Sequence, residues 1–176
     1  MEFPDLSPAL GPIPWAVVGA AATRLYMPER ATRDLDAAVR AEDGPAARSR
    51  LRAAGFAYQG ELAVGGSSWR TPSGFPVDLV EWRAPWFAEA LRQAQSNRDR
   101  QGLPILPLPF LALMKFQAGR VQDLADVTRM LGQADDAAIR GVRALFAQWL
   151  PDECDDLESL IELGRLEMEE GGGPRP

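Results

Sequence analysis

The chain has 176 residues, 46% of them hydrophobic and 25% charged, with a net charge of -6 and no histidine. That length suits one core-forming domain with a helical extension, or two very small domains sharing an interface, and one compact unit is expected. Without imidazole, Ser-His-Asp and Cys-His catalysis, histidine-ligated metals and imidazole-driven ribonuclease chemistry are excluded, so chemistry rests on carboxylates, lysine, arginine, backbone amides or a bound cation.

The single cysteine, Cys154, rules out an intrachain disulfide and a cysteine-ligated zinc site. The acidic balance argues against duplex DNA as a partner, because that binding needs a basic face to displace counterions. Local phosphate handling stays open through Arg24, Arg30 and Arg33 and through Arg92, Arg98 and Arg100. No apolar run reaches bilayer length, and the opening MEFPDLSPAL lacks the basic and apolar regions of a leader. The expectation is a cytoplasmic protein with no membrane partner.

In chain order, Pro4, Pro8, Pro12 and Pro14 predict an extended or short-turn lead-in, with order starting at Trp15. WAVVG reads as a strand that ends at Gly19, before the helix-favouring AAATRLYM. DLDAAV reads as a second strand, and GPAARSRLRAAG as a helix with Pro45 in its first turn and Gly55 at its stop. FAYQGELAVGGSSWRTPSGFPVDLVEW predicts a meander of about three strands broken at Gly65-Gly66 and Pro72-Ser73-Gly74. Beyond Pro85 the spacing predicts helices in WFAEALRQAQ, LPFLALMKFQAG, VQDLADVTRMLG, DDAAIRGVRALFAQWL and CDDLESLIELGRLEMEE. The expected organisation is α+β: a mixed-sheet core flanked by helices over residues 1–102, a C-terminal helical bundle over 103–170, and a disordered tail over 171–176.

Asp34 and Asp36 are two residues apart in the second predicted strand, so their side chains share a face roughly 7 Å apart along the backbone. Paired carboxylates repel, and a divalent cation with oxygen ligands relieves the repulsion. Asp78, inside the apolar strand FPVDLVEW, offers a third carboxylate. Alone, Asp34-Leu35-Asp36 reads equally as an edge strand with a solvated face. Gly19 at a strand-to-helix turn upstream supplies amides suited to an anion and room for close approach.

The stretch VVGAAATRLYMPERATRDLDAAV resembles the motif region of the polymerase-β-like nucleotidyltransferases, where a Gly-Gly or Gly-Ser turn precedes Asp-x-Asp. Arg30-x-Thr32-x-Asp34-x-Asp36 is similar to the small prokaryotic branch of AbiEii-type toxins and minimal nucleotidyltransferases, as is Lys115-Phe116-Gln117-Ala118-Gly119-Arg120 followed by Asp123 and Asp126. The likeness runs from Trp15 to Leu131. It implies a nucleotidyltransferase core that moves a nucleoside monophosphate from an NTP to a hydroxyl on a protein, a tRNA or a small molecule. Asp34, Asp36 and Asp78 would be catalytic and hold Mg²⁺ or Mn²⁺. Gly19, Ala20, Arg30, Thr32, Lys115 and Asp123 would bind the nucleotide.

Two readings stand for Lys115, a phosphate partner oriented by Asp123 or a snorkelling helix lysine. Arg120 and Asp123 equally suit a surface pair, and Arg30 a surface arginine. Ala20 departs from the usual serine or glycine and loses a hydroxyl. The alternative function is therefore a nucleotide-binding but weakly active or inactive member acting as an antitoxin-like interaction module, with a small helical protein as partner.

Overall fold

The computed structural model describes residues 2–28 and 32–171. These fall into two compact units, one within residues 1–25 and 29–107, the other within 26–28 and 108–176. The architecture is α+β, as the sequence predicts.

The first unit carries a five-stranded mixed sheet. Its strands are β1 (Ala16–Val17), β2 (Leu35–Arg40), β3 (Ala57–Glu61), β4 (Gly66–Arg70) and β5 (Pro76–Trp82), in the order β1-β2-β5-β4-β3. β2 and β5 are parallel, while every other neighbouring pair is antiparallel. The three-strand meander is thus β3-β4-β5. Helix α3 (Gly44–Ala53) fills the crossover between β2 and β3, with Pro45 in its first turn and Gly55 past its end at a φ of 83°. Leu35, Ala37, Val77, Leu79 and Trp69 are almost fully buried, as are Ala47 and Leu51 of α3. Helix α4 (Phe87–Ala94) buries Phe87, Ala90, Leu91 and Ala94, a stripe at helical spacing. The segment after it returns to the sheet edge, where Ile105 bridges Val17 in parallel.

Three local expectations need correction. The lead-in is ordered before Trp15: a helical turn, α1 (Ser7–Leu10), has Pro8 in its first turn, where proline is tolerated, and Leu6 and Leu10 are fully buried. The helix expected over AAATRLYM is only α2 (Gly19–Thr23). Arg24, just past it, pairs with Asp99, donates to Gln101 Oε1 at 2.8 Å and lies 4.6 Å over the Phe3 ring. Finally, β2 begins at Leu35, so Asp34 sits in a bend ahead of the strand. Pro76, which opens β5, has no amide hydrogen with which to extend the ladder past Leu35 and Val77.

The second unit is helical: α5 (Leu108–Ala118), α6 (Val121–Gly132), α7 (Asp136–Trp149) and α8 (Cys154–Gly171). Asp135 caps α7, its carboxylate accepting from Ala138 N at 2.7 Å. No helix among the described residues is long and apolar enough to cross a membrane. Residues 172–176 of the expected disordered tail lie outside the described residues.

Helices α6 and α8 cross at glycines. A Cβ on Gly164 would lie 2.1 Å from Thr128 O and 2.9 Å from Gly132 N. In an open helix Gly→Ala gains about 1 kcal/mol. Here overpacking of backbone, at about 1–3 kcal/mol, outweighs that gain. Gly164→Ala is therefore expected to lower the denaturation midpoint, measured by urea titration; a raised midpoint would show that the crossing is not close.

Candidate active site

The site is built on one line across the sheet. Val18 N donates to Asp36 O at 2.9 Å, tying the end of the first strand to the acidic one. The chain then turns at Gly19, whose φ is +61°. A Cβ there would stand 1.8 Å from Asp36 Oδ2 and 2.6 Å from its Cγ, so glycine is required by conformation and by space. Asp36 is the register partner of Asp78 on the parallel neighbour β5, and Asp78 is the partner of Ser68 on β4. Residues in register share a face, so these three side chains form a row across strands about 4.8 Å apart. Ser68 Oγ donates to Asp78 Oδ1 at 2.5 Å. All three are partly exposed, whereas Leu35, Ala37, Val77 and Leu79, facing the other way, are fully buried. The sheet thus brings Gly19, Asp36 and Asp78 together. Ser68 drew no notice in the sequence, because its place opposite Asp78 exists only through the β4-β5 register.

Asp34 stands beside this row without joining a three-carboxylate cluster. Its Oδ1 accepts from Thr32 Oγ1 at 2.7 Å. Among the described residues no group of three or more His, Cys, Asp or Glu side chains is placed to hold a metal ion. The pair Asp36 and Asp78, with Gly19 leaving space against Asp36, nevertheless forms an all-oxygen donor set of the kind Mg²⁺ or Mn²⁺ takes together with substrate phosphates. Ala20, the second residue of α2, is partly exposed, and its carbonyl accepts from Thr23 Oγ1 at 2.8 Å. Arg30 lies outside the described residues. Among the other arginines considered for phosphate, Arg98 donates to Gln95 O and Gly102 O, and Arg92 pairs with Glu89.

Lys115 and Asp123 belong to the helical unit. Lys115, the chain's single lysine, is 3% exposed. Its ammonium donates to Asp123 Oδ1 and to Asp126 Oδ2, both at 2.9 Å. Arg120 Nε donates to the other oxygen of Asp123 at 2.5 Å, and Gln122 Nε2 to Asp126 Oδ1 at 3.2 Å. Asp123 therefore does accept from Lys115, and Asp126, buried completely, does so equally. Burial pushes the Asp123 carboxyl up, but the Arg120 and Lys115 hydrogen bonds and charges outweigh it and hold it below the usual carboxylate range.

A cavity of about 530 Å³ is lined by Arg48, Glu61, Gly65, Gly66, Glu81 and Trp82 among others, none of them an expected site residue. Arg48 there is already bidentate to Glu81, at 2.5 and 2.8 Å.

No protein-family model and no curated protein matches the chain. Among solved structures it is similar to the solution structure of the antibiotic-resistance factor ANT(2'')-Ia, with a TM-score of 0.47 and 16% identity over 90% of this chain and 87% of that one. It is also similar to the crystal structure of ANT(2'')-Ia in complex with adenylyl-2''-tobramycin, with a TM-score of 0.44 and 16% identity over 85% and 87%.

Removing one partner of a buried, hydrogen-bonded ion pair costs about 3–5 kcal/mol. Lys115→Met is expected to lose stability on that scale in chemical denaturation, and a loss under about 1 kcal/mol would refute the buried-pair account. Because the folded-state pKa of Asp123 is depressed, its contribution is present above the unfolded carboxylate value of about 4 and is lost as pH falls through the lower folded value. The stability gap between wild type and Asp123→Asn should hold steady from pH 8 to 5 and shrink below about pH 4, as followed by denaturation at each pH.

Proposed function

We propose that this chain is a nucleotidyltransferase, moving a nucleoside monophosphate from an NTP to a hydroxyl acceptor with release of pyrophosphate. One observation carries the reading: the Gly19 turn packed against Asp36, with Asp36 and Asp78 in register on parallel strands. In this reading the turn at Gly19 and Ala20 presents backbone amides to the outer phosphates. Asp36 and Asp78 hold Mg²⁺ or Mn²⁺, joined by Asp34 when Thr32 releases it, and Asp78 orients the acceptor hydroxyl and takes its proton. The cation, when bound, neutralises charge on the transferring phosphate and brings attacking and leaving oxygens into line. Arg30 and Thr32 lie in the same motif as phosphate contacts.

The acceptor is a small molecule such as an aminoglycoside, a protein hydroxyl or a tRNA end, in a resistance or toxin-antitoxin setting within the cytoplasm. The net charge of -6 favours the first two. A second reading has its own support. Ala20 brings no hydroxyl to the turn, and Leu163 and Leu166 on α8 are about half exposed, which suits an antitoxin-like module that binds a small helical protein.

Labelled NTP with Mg²⁺ or Mn²⁺ tests the site that both readings share, and transfer to an acceptor separates them. Transfer or, failing an acceptor, NTP binding is expected for wild type, with a loss of roughly 10²–10³-fold in Asp36→Ala and Asp78→Asn. Gly19→Ala should lose binding as well, since its Cβ occupies the position of the Asp36 carboxylate. Equal NTP binding by wild type and all three variants would sink the site.

A further inference from the structure

We propose that Ser68 is a positioning residue for Asp78, an inference that rests on the nucleotidyltransferase reading above. The two are register partners on antiparallel strands, so their side chains emerge side by side on the acidic face. The 2.5 Å bond from Ser68 Oγ to Asp78 Oδ1 is a charge-assisted one, short and directional. It occupies one oxygen of the carboxylate and fixes the plane of the group. Asp78 Oδ2 has no partner among the described residues and remains for a cation or an acceptor hydroxyl.

A serine is well suited to this place. Lysine or arginine opposite Asp78 would compete with a cation, and a third acid would add to the repulsion between Asp36 and Asp78. A hydroxyl donates one proton to the carboxylate and brings no net charge. Its neighbour supplies a contrast. Ser67, fully buried on the opposite face, accepts from Trp69 Nε1 at 2.9 Å and has its hydroxyl spent inside the core. Two consecutive serines thus serve two faces of one strand. Groups that orient a metal-binding carboxylate are worth about 10–100-fold in metal affinity.

The test is Mn²⁺ titration by electron paramagnetic resonance, with a non-hydrolysable NTP analogue present, alongside melting temperatures. Ser68→Ala is expected to weaken Mn²⁺ binding about tenfold or more while melting close to wild type. Ser68→Thr, which keeps the hydroxyl on a β-branched residue suited to a strand, should restore the affinity to within about threefold. Ser67→Ala should lower the melting temperature and leave Mn²⁺ binding alone. If Asp78→Asn weakens Mn²⁺ binding but Ser68→Ala does not, Ser68 has no positioning role and the site reading survives. The positioning role is equally overturned if Ser68→Thr binds as poorly as Ser68→Ala at an unchanged melting temperature. If Asp36→Asn and Asp78→Asn both bind Mn²⁺ like wild type, the site reading fails and the role of Ser68 falls with it.

Discussion

Two carboxylates held in register on neighbouring parallel strands set the terms for everything around them. At roughly 5 Å and an effective dielectric near 20, two such charges repel by about 3 kcal/mol before solvent screening lowers the figure. The sheet has little freedom to separate them. Leu35 and Ala37 on one strand and Val77 and Leu79 on the other are buried on the opposite face, and a one-residue slip would drive both acids into the core. The apolar side of the sheet therefore enforces the acidic side. What the fold can adjust is the surroundings: partial exposure of both groups, a hydroxyl against Asp78, and a turn without a side chain against Asp36. Partial exposure and the hydroxyl lower the cost of the pair, and the bare turn makes room for the Asp36 carboxylate.

Much of this arrangement was legible because period-2 and period-3.6 patterns report which face is buried. DLDAAV and FPVDLVEW place Asp36 and Asp78 among residues that must point inward, so both acids had to share the outward face once the strands paired. Long-range pairing was the missing step. Nothing local in GSSWR distinguishes Ser68 from Ser67, and only the register with β5 puts one hydroxyl on the acid and the other in the core. Asp34 was misplaced for a related reason. Alternation carries on through DLD, whereas the ladder stops where Pro76 has no donor to offer, and that proline lies more than forty residues away. The lead-in failed differently: four prolines forbid a long helix but not a single turn, and Leu6 and Leu10 needed burial.

Lys115 illustrates how far a helical pattern reaches. Its place on an apolar face said that the ammonium required a partner, and Asp123 was within reach by spacing. That a second carboxylate, Asp126, closes on the same nitrogen follows from the packing of α5 against α6. One ammonium and two buried carboxylates, with the exposed guanidinium of Arg120 at their edge, make a neutral group, which is how an interior tolerates three charges. The glycines at the α6-α8 crossing follow a similar logic, since they read as poor helix formers until the partner backbone is placed beside them.

Ala20 bears on how phosphate would be held. A helix of five residues sums few peptide dipoles, and alanine adds no hydroxyl, so the turn would contribute amides but little field. In the proposed reading a cation on the acid pair would supply charge compensation for a triphosphate, and Arg24, committed to Asp99 and Gln101, would add little to it. In the proposed reading the close contact of Gly19 with Asp36 would join the two functions, since the turn that would face the phosphate is the one whose missing side chain makes room for the Asp36 carboxylate. Phosphate and cation would thus occupy adjoining places that neither the turn nor the acid pair could provide alone, and the short helix is sufficient only because the acids stand next to it.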